Sequence, residues 1–113
     1  MHELSLVMSI IEIAQQHAQE ADAHLIEEIE LDIGELSSVE MDAFDFAWKQ
    51  GVKNTLLEKA SIKINRIEGK GTCLDCEAQI HLKQVYDVCS ACGSHFVMLT
   101  GGKEFKVKSL VVS

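Results

Sequence analysis

The sequence predicts an α+β fold, two helices packed on a small three-stranded sheet, with a cysteine-bearing module inserted before the last strand. Three observations predict it. Apolar residues recur at helical spacing in two stretches, they alternate at strand spacing in three more, and two Cys-x-x-Cys pairs fall between the last two of those strands. The 113 residues, 47% hydrophobic and 25% charged, suit one ordinary globular domain carrying such an insert.

From Leu4, the residues Val7, Met8, Ile11, Ala14 and Ala18 recur every three or four positions while Glu12, Gln16 and Glu20 fall off that stripe. This predicts an amphipathic helix over residues 4–21. Past Ala23 and His24 the pattern turns to strict alternation. Ile29, Leu31 and Ile33 point one way and Glu28, Glu30 and Asp32 the other, as in a half-buried strand ending at Gly34. Ser37 and Glu40 then stand at the spacing of a capping box, with Leu36 and Met41 at the hydrophobic positions around it. The second helix, residues 38–51, is expected to bury Met41, Phe44, Ala47 and Trp48, to expose Asp42, Asp45 and Lys49, and to end at Gly51.

Two further alternating segments read as strands: Ile62 and Ile64 with Lys63 and Asn65, and Phe105 and Val107 with Lys106 and Lys108. Their outward lysines complement the outward acids of residues 28–32, as cross-strand neighbours in one sheet would. The cysteines lie between them, bracketed by Gly71 and by Gly101–Gly102. The expected division is therefore an α+β domain of residues 1–68 plus 103–113 and an inserted domain of residues 69–102.

The net charge is −8, and residues 1–48 hold twelve acidic side chains before the first basic one, Lys49. Nucleic acid is an unfavourable partner for such a chain, because phosphate binding needs a basic face. An acidic face this strong is a solvated surface or an attraction for cations and basic partners. No apolar run is long enough to span a bilayer, and the N-terminus lacks the basic and apolar regions of an export signal. The expectation is a soluble, cytoplasmic protein with no membrane contact.

The cysteines read Cys73-Leu-Asp-Cys76, then twelve residues, then Cys89-Ser-Ala-Cys92, and the chain has no others. Two residues between paired cysteines let the chain fold back as a knuckle that aims both sulfurs at one tetrahedral ion. Two knuckles complete a four-sulfur shell, and the intervening segment is long enough for a hairpin, with residues 79–86 and 95–99 as candidate strands. The reading favoured is a zinc ribbon with one structural Zn(II) on Cys73, Cys76, Cys89 and Cys92. Two disulfides suit a cytosolic setting poorly, a thioredoxin-like pair lacks its strand-to-helix context, and an iron–sulfur cluster shares the ligand count. Four thiolates leave no open coordination position, so this metal is not expected to catalyse anything.

The chain starts Met1-His2-Glu3, directly before the first helix. An amine, the amide nitrogen of His2 and its imidazole can close adjacent chelate rings, and flat nitrogen-rich donor sets suit Ni(II) or Cu(II), whereas a sulfur cage selects zinc. Here the sequence resembles the nickel metallochaperones of the HypA family over its whole length. The resemblance rests on Met1-His2-Glu3-Leu4-Ser5, on Ile33-Gly34-Glu35-Leu36-Ser37-Ser38-Val39-Glu40, on the paired cysteines, and on a closing strand with Lys108-Ser109-Leu110 after Gly101–Gly102.

The resemblance implies a carrier that delivers Ni(II) as cargo to nickel–iron hydrogenase during its assembly, and in some organisms supplies urease. Met1, His2 and Glu3 would bind the nickel, making residues 1–68 plus 103–113 the nickel-binding domain, while the four cysteines would hold zinc. The implied partners are the GTPase HypB, the hydrogenase large subunit precursor and, for urease, its maturation proteins; a homodimer is left open. Glu40 has two readings, capping residue and aid to nickel. Gly93 stands where many members of the family carry a histidine, and His95 follows two residues later. His81 and His95 flank the cysteine module as candidates for a second metal, and His17 and His24 are read as surface or structural residues.

No nucleophile and base form a recognisable set, so an enzyme is not expected. The competing reading is a zinc-ribbon adaptor that binds another protein and never handles nickel.

Overall fold

Burial on one face explains each element of the first part of the chain. The computed structural model describes residues 3–113. Helix α1 (Glu3–Glu20) buries Val7, Ile10, Ile11, Ala14 and Ala18. The buried stripe thus passes through Ile10 and not through Leu4 or Met8, which are about half exposed. Strand β1 (Ile26–Gly34) buries Ile29, Leu31 and Ile33, as its alternation predicts, and also Ile26, which lies out of that alternation. Helix α2 (Met41–Gly51) buries Phe44, Ala47 and Trp48, with the two rings stacked at a centroid distance of 6.1 Å.

The start of α2 corrects the expected capping box. Ser37 does not cap the helix: its hydroxyl donates to the Gly34 carbonyl at 2.6 Å, closing a turn at the end of β1. Ser38 then takes a left-handed conformation (φ 65°), and the helix begins three residues later than predicted. Glu40 is the N-cap, and its own carboxylate accepts from the backbone N–H groups of Asp42 at 3.2 Å and Ala43 at 2.7 Å. It satisfies two of the donors that every helix start leaves open.

The remaining strands are β2 (Ser61–Ile67), β3 (Gly69–Cys73), β4 (Gln79–Leu82), β5 (Val97–Gly101) and β6 (Phe105–Val112). They form two three-stranded sheets, ordered β2-β1-β6 and β4-β3-β5. In the first sheet Glu30 on the central strand accepts from Asn65 of β2 at 2.7 Å and from Ser109 of β6 at 3.2 Å. The ammonium groups of Lys63 and Lys108 lie 3.9 and 3.7 Å from the same carboxylate. The Asn65 bond, joined by Ser109 and the lysines and opposed by partial burial, holds the Glu30 carboxyl below its ordinary range. This is the cross-strand charge complementarity that the outward lysines predict.

The second sheet was foreseen only in part. β4 falls within the first candidate strand and β5 overlaps the second, starting at Val97 and running on to Gly101, but both pair antiparallel with β3, a strand the sequence pattern did not reveal. The chain groups into two compact units. The first runs through Leu31 and takes in Val39–Asn65 and Lys106–Ser113; the second comprises Asp32–Ser38 and Arg66–Phe105. Residues 32–38 group with the cysteines because Leu36 is packed into their small core, beside Cys73, Ile80, Leu82 and Cys89.

Candidate metal centre

Two copies of one backbone device present the four sulfurs. In the first knuckle the Cys73 N–H donates to the Ala78 carbonyl at 3.0 Å, and the Glu77 N–H donates back to the Cys73 carbonyl at 2.9 Å. In the second, Cys89 donates to Ser94 at 2.9 Å, and Gly93 donates to Cys89 at 2.8 Å. The residue after each second cysteine is left-handed, Glu77 at φ 63° and Gly93 at φ 78°. Position 93 therefore favours glycine.

Each tight turn aims amide protons at sulfur. The Cys76 N–H points at the Cys73 sulfur at 3.4 Å, and the Ala91 N–H at the Cys89 sulfur at 3.3 Å. The four sulfurs converge: Cys73 and Cys92 are 3.6 Å apart, Cys76 and Cys89 are also 3.6 Å apart, and all four lie within 4.8 Å of one another. A tetrahedral zinc with bonds of about 2.3 Å separates its sulfurs by about 3.8 Å, so the cage is of the right size.

Its protonation behaviour fits a cation as well. The Cys76 N–H, aided by that of Asp75, pulls the buried Cys73 thiol down to about 6. The Cys92 N–H lowers Cys89 in the same way. For Cys92 the Ser94 N–H favours the thiolate, but the crowding sulfurs of Cys73 and Cys76 outweigh it and push the thiol up to about 12. Cys76 is raised too, its bond from the Ala78 N–H outweighed by the sulfurs of Cys73 and Cys89. One cysteine of each pair ionises readily and the other keeps a proton until a cation takes its place. Such a donor set suits a soft divalent ion. No histidine joins this cluster among the described residues.

The other candidate residues are placed as follows. Met1 and His2 lie outside the described residues. Glu3 opens α1, and its carboxylate accepts the backbone N–H of Glu40 at 3.2 Å, which brings the first turns of the two helices together. Glu40 is thus occupied at both ends, its carboxylate on α2 and its N–H on Glu3. His81 is not aimed at the sulfurs; its Nε2 lies 3.1 Å from Glu35 Oε1. His95 is exposed. Sequence reasoning missed Glu35 as the partner of His81, since nothing local couples positions that far apart.

With the geometry in place, the comparisons with known proteins are decisive. A family model described as "Hydrogenase/urease nickel incorporation, metallochaperone, hypA" matches residues 1–112. The chain belongs to the HypA family. A protein of Parabacteroides distasonis named hydrogenase maturation factor HypA is 43% identical over 112 residues, covering 99% of this chain and 97% of its own. A namesake from Rhizobium leguminosarum is 38% identical, with 99% of each chain covered. Among solved structures, that of the Ni metallochaperone HypA from Helicobacter pylori aligns with a TM-score of 0.69 at 32% identity, covering 99% of this chain and 97% of that one. A second, a solution structure of HypA protein, gives 0.70 at 31% identity, covering 100% and 97%. The two-helix, two-sheet architecture with its four clustered cysteines is therefore that of HypA.

Proposed function

We propose that this HypA chain is a nickel metallochaperone that binds Ni(II) through Met1, His2 and Glu3 and delivers it for maturation of nickel–iron hydrogenase, and of urease where that enzyme is made. The observation that carries the site is the bond between the Glu3 carboxylate and the Glu40 N–H. It fixes residue 3 against the start of α2, where the helix dipole favours negative charge, so that the donors of residues 1–3 act from an anchored base. Glu40 contributes as the cap that holds this corner, and its carboxylate adds negative charge near the cation.

A cargo site built from a few neighbouring residues suits transfer, because an accepting protein can displace its ligands one at a time. The second metal has a different duty. Cys73, Cys76, Cys89 and Cys92 hold one structural Zn(II), which orders the second unit and, with all four positions filled, transforms no substrate. The accepting partners are the GTPase HypB and the hydrogenase large subunit precursor, met in the cytoplasm; urease maturation proteins are the corresponding partners for urease. A homodimer is compatible with this role.

The experiment is nickel titration of the untagged protein after metal analysis. One retained zinc and one exchangeable nickel per chain are expected, with a nitrogen-rich, planar nickel spectrum. The nickel, and not the zinc, should be lost in His2→Ala and in a form extended at the N-terminus. Nickel affinity unchanged in both variants would remove the N-terminal site, and no nickel binding at all would favour the zinc-ribbon adaptor.

A further inference from the structure

The two knuckles repeat each other's backbone–backbone hydrogen bonds, and they differ where their side chains meet. Aligning Cys73-Leu-Asp-Cys76-Glu-Ala78 with Cys89-Ser-Ala-Cys92-Gly-Ser94 pairs Asp75 with Ala91 and Ala78 with Ser94. A symmetric cage would place the same side chains in both knuckles. Here one corner carries an acid and a hydroxyl, and those two groups are joined: Ser94 Oγ donates to the Asp75 carboxylate at 2.5 Å.

Ser94 has no polar group to spare. Its N–H bonds the Cys92 sulfur, its carbonyl accepts from the Cys89 N–H at 2.9 Å, and its Oγ accepts from the Phe96 N–H at 3.0 Å. One residue therefore touches the second cysteine pair at both members and the first pair through Asp75. A second strap runs beside it, the Leu74 N–H donating to the Phe96 carbonyl at 2.8 Å. The acid calls for such a partner. Four thiolates around a dication leave a net negative centre, next to which a carboxylate is unfavourable unless a donor holds it.

We propose that Ser94 and Asp75 form a clasp between the two knuckles that sets how slowly the four-cysteine centre releases its metal. Both are positioning residues, acting on Cys73, Cys76, Cys89 and Cys92 through the backbone turns that carry the sulfurs. The inference rests on the reading of those cysteines as a zinc site. A knuckle pair without the clasp opens at one corner, which gives a competing ligand its first sulfur–metal bond to attack.

The test uses the full-length zinc-loaded protein and measures transfer of zinc to a chromogenic chelator, with the cobalt-substituted form providing a spectrum of the sulfur cage. Ser94→Ala should release zinc about tenfold faster or more, the usual scale for losing a group that orients a metal ligand. Ser94→Thr, which keeps the hydroxyl, should restore slow release and the wild-type cobalt bands. In an Asp75→Ala background the serine substitution should have a much smaller effect, since its partner is already gone. If Ser94→Ala cannot be purified with zinc, Asp75→Asn carries the test, and faster release is expected because a neutral acceptor binds the hydroxyl less strongly. Wild-type release in Ser94→Ala or in that substitute, with one zinc per chain, overturns the clasp alone. Wild-type protein without zinc would overturn the metal site and the clasp with it.

Discussion

A single carboxylate ties the loop after β1 to the cysteine-bearing sheet. Glu35 Oε1 accepts from the backbone N–H of Gly69 at 3.1 Å and sits 3.1 Å from His81 Nε2, while Arg66 adds a weaker attraction. The bond from His81, then that from Gly69, hold the Glu35 carboxyl below its ordinary value of 4.5, against a modest opposing effect of burial. A carboxyl whose pKa is lower folded than unfolded stabilises the fold above its unfolded value, and that contribution is lost as pH falls through the lower folded value. The second unit should therefore lose stability from the ordinary carboxylate range downward. His81→Ala removes the largest cause of the shift and should flatten this acid limb. Melting temperature measured against pH for the two proteins checks it; parallel curves below the ordinary value of 4.5 would show that the Glu35 pair contributes nothing.

The start of α2 decides between two capping residues. Glu40 accepts two N–H groups of the first turn, whereas Ser37 spends its hydroxyl on the Gly34 carbonyl. Glu40→Ala should cost about 1 kcal/mol, within the range for removing an N-cap acceptor. Trp48, buried in α2 and the chain's one tryptophan, reports on it by fluorescence during urea unfolding. A Ser37→Ala protein as destabilised in α2 as Glu40→Ala would revive the capping box. The sequence could not choose, because both residues are good acceptors and the left-handed Ser38 that separates them leaves no pattern. The alternation of β1 was legible because one of its faces is buried. β3 was not, since two of its three inward positions are Gly69 and Gly71, which carry close approach where other strands carry apolar bulk. A Cβ at Gly69 would lie 2.2 Å from the Leu82 carbonyl oxygen, and one at Gly71 would lie 2.7 Å from Val97 Cγ1. The four cysteines were legible from spacing alone. The Asp75–Ser94 pair becomes visible only when the two knuckles are aligned, and Glu35–His81 only in the folded chain.

Across the whole chain the two units rest on different foundations. The first buries aliphatic and aromatic side chains of α1, β1 and α2, with Phe44, Ile26, Ile29 and Leu31 fully enclosed. The second has a core of Leu36, Cys73, Ile80, Leu82 and Cys89, in which two of the five members are sulfurs of the metal cage. A core this small needs a staple, and without a cation the cage crowds together thiolates that repel one another. Stripping the metal with a strong chelator at neutral pH should therefore release the second unit and spare the first. Amide hydrogen exchange is the measurement that separates them. Protection should collapse in β3, β4 and β5, persist in α1, α2 and the part of β1 up to Leu31, and return when zinc is restored. The helical circular dichroism should hardly change, because α1 and α2 both belong to the first unit. Retained protection in β3–β5 after complete metal removal would mean that Leu36, Ile80 and Leu82 hold the sheet unaided, and that the cysteines serve something other than its folding.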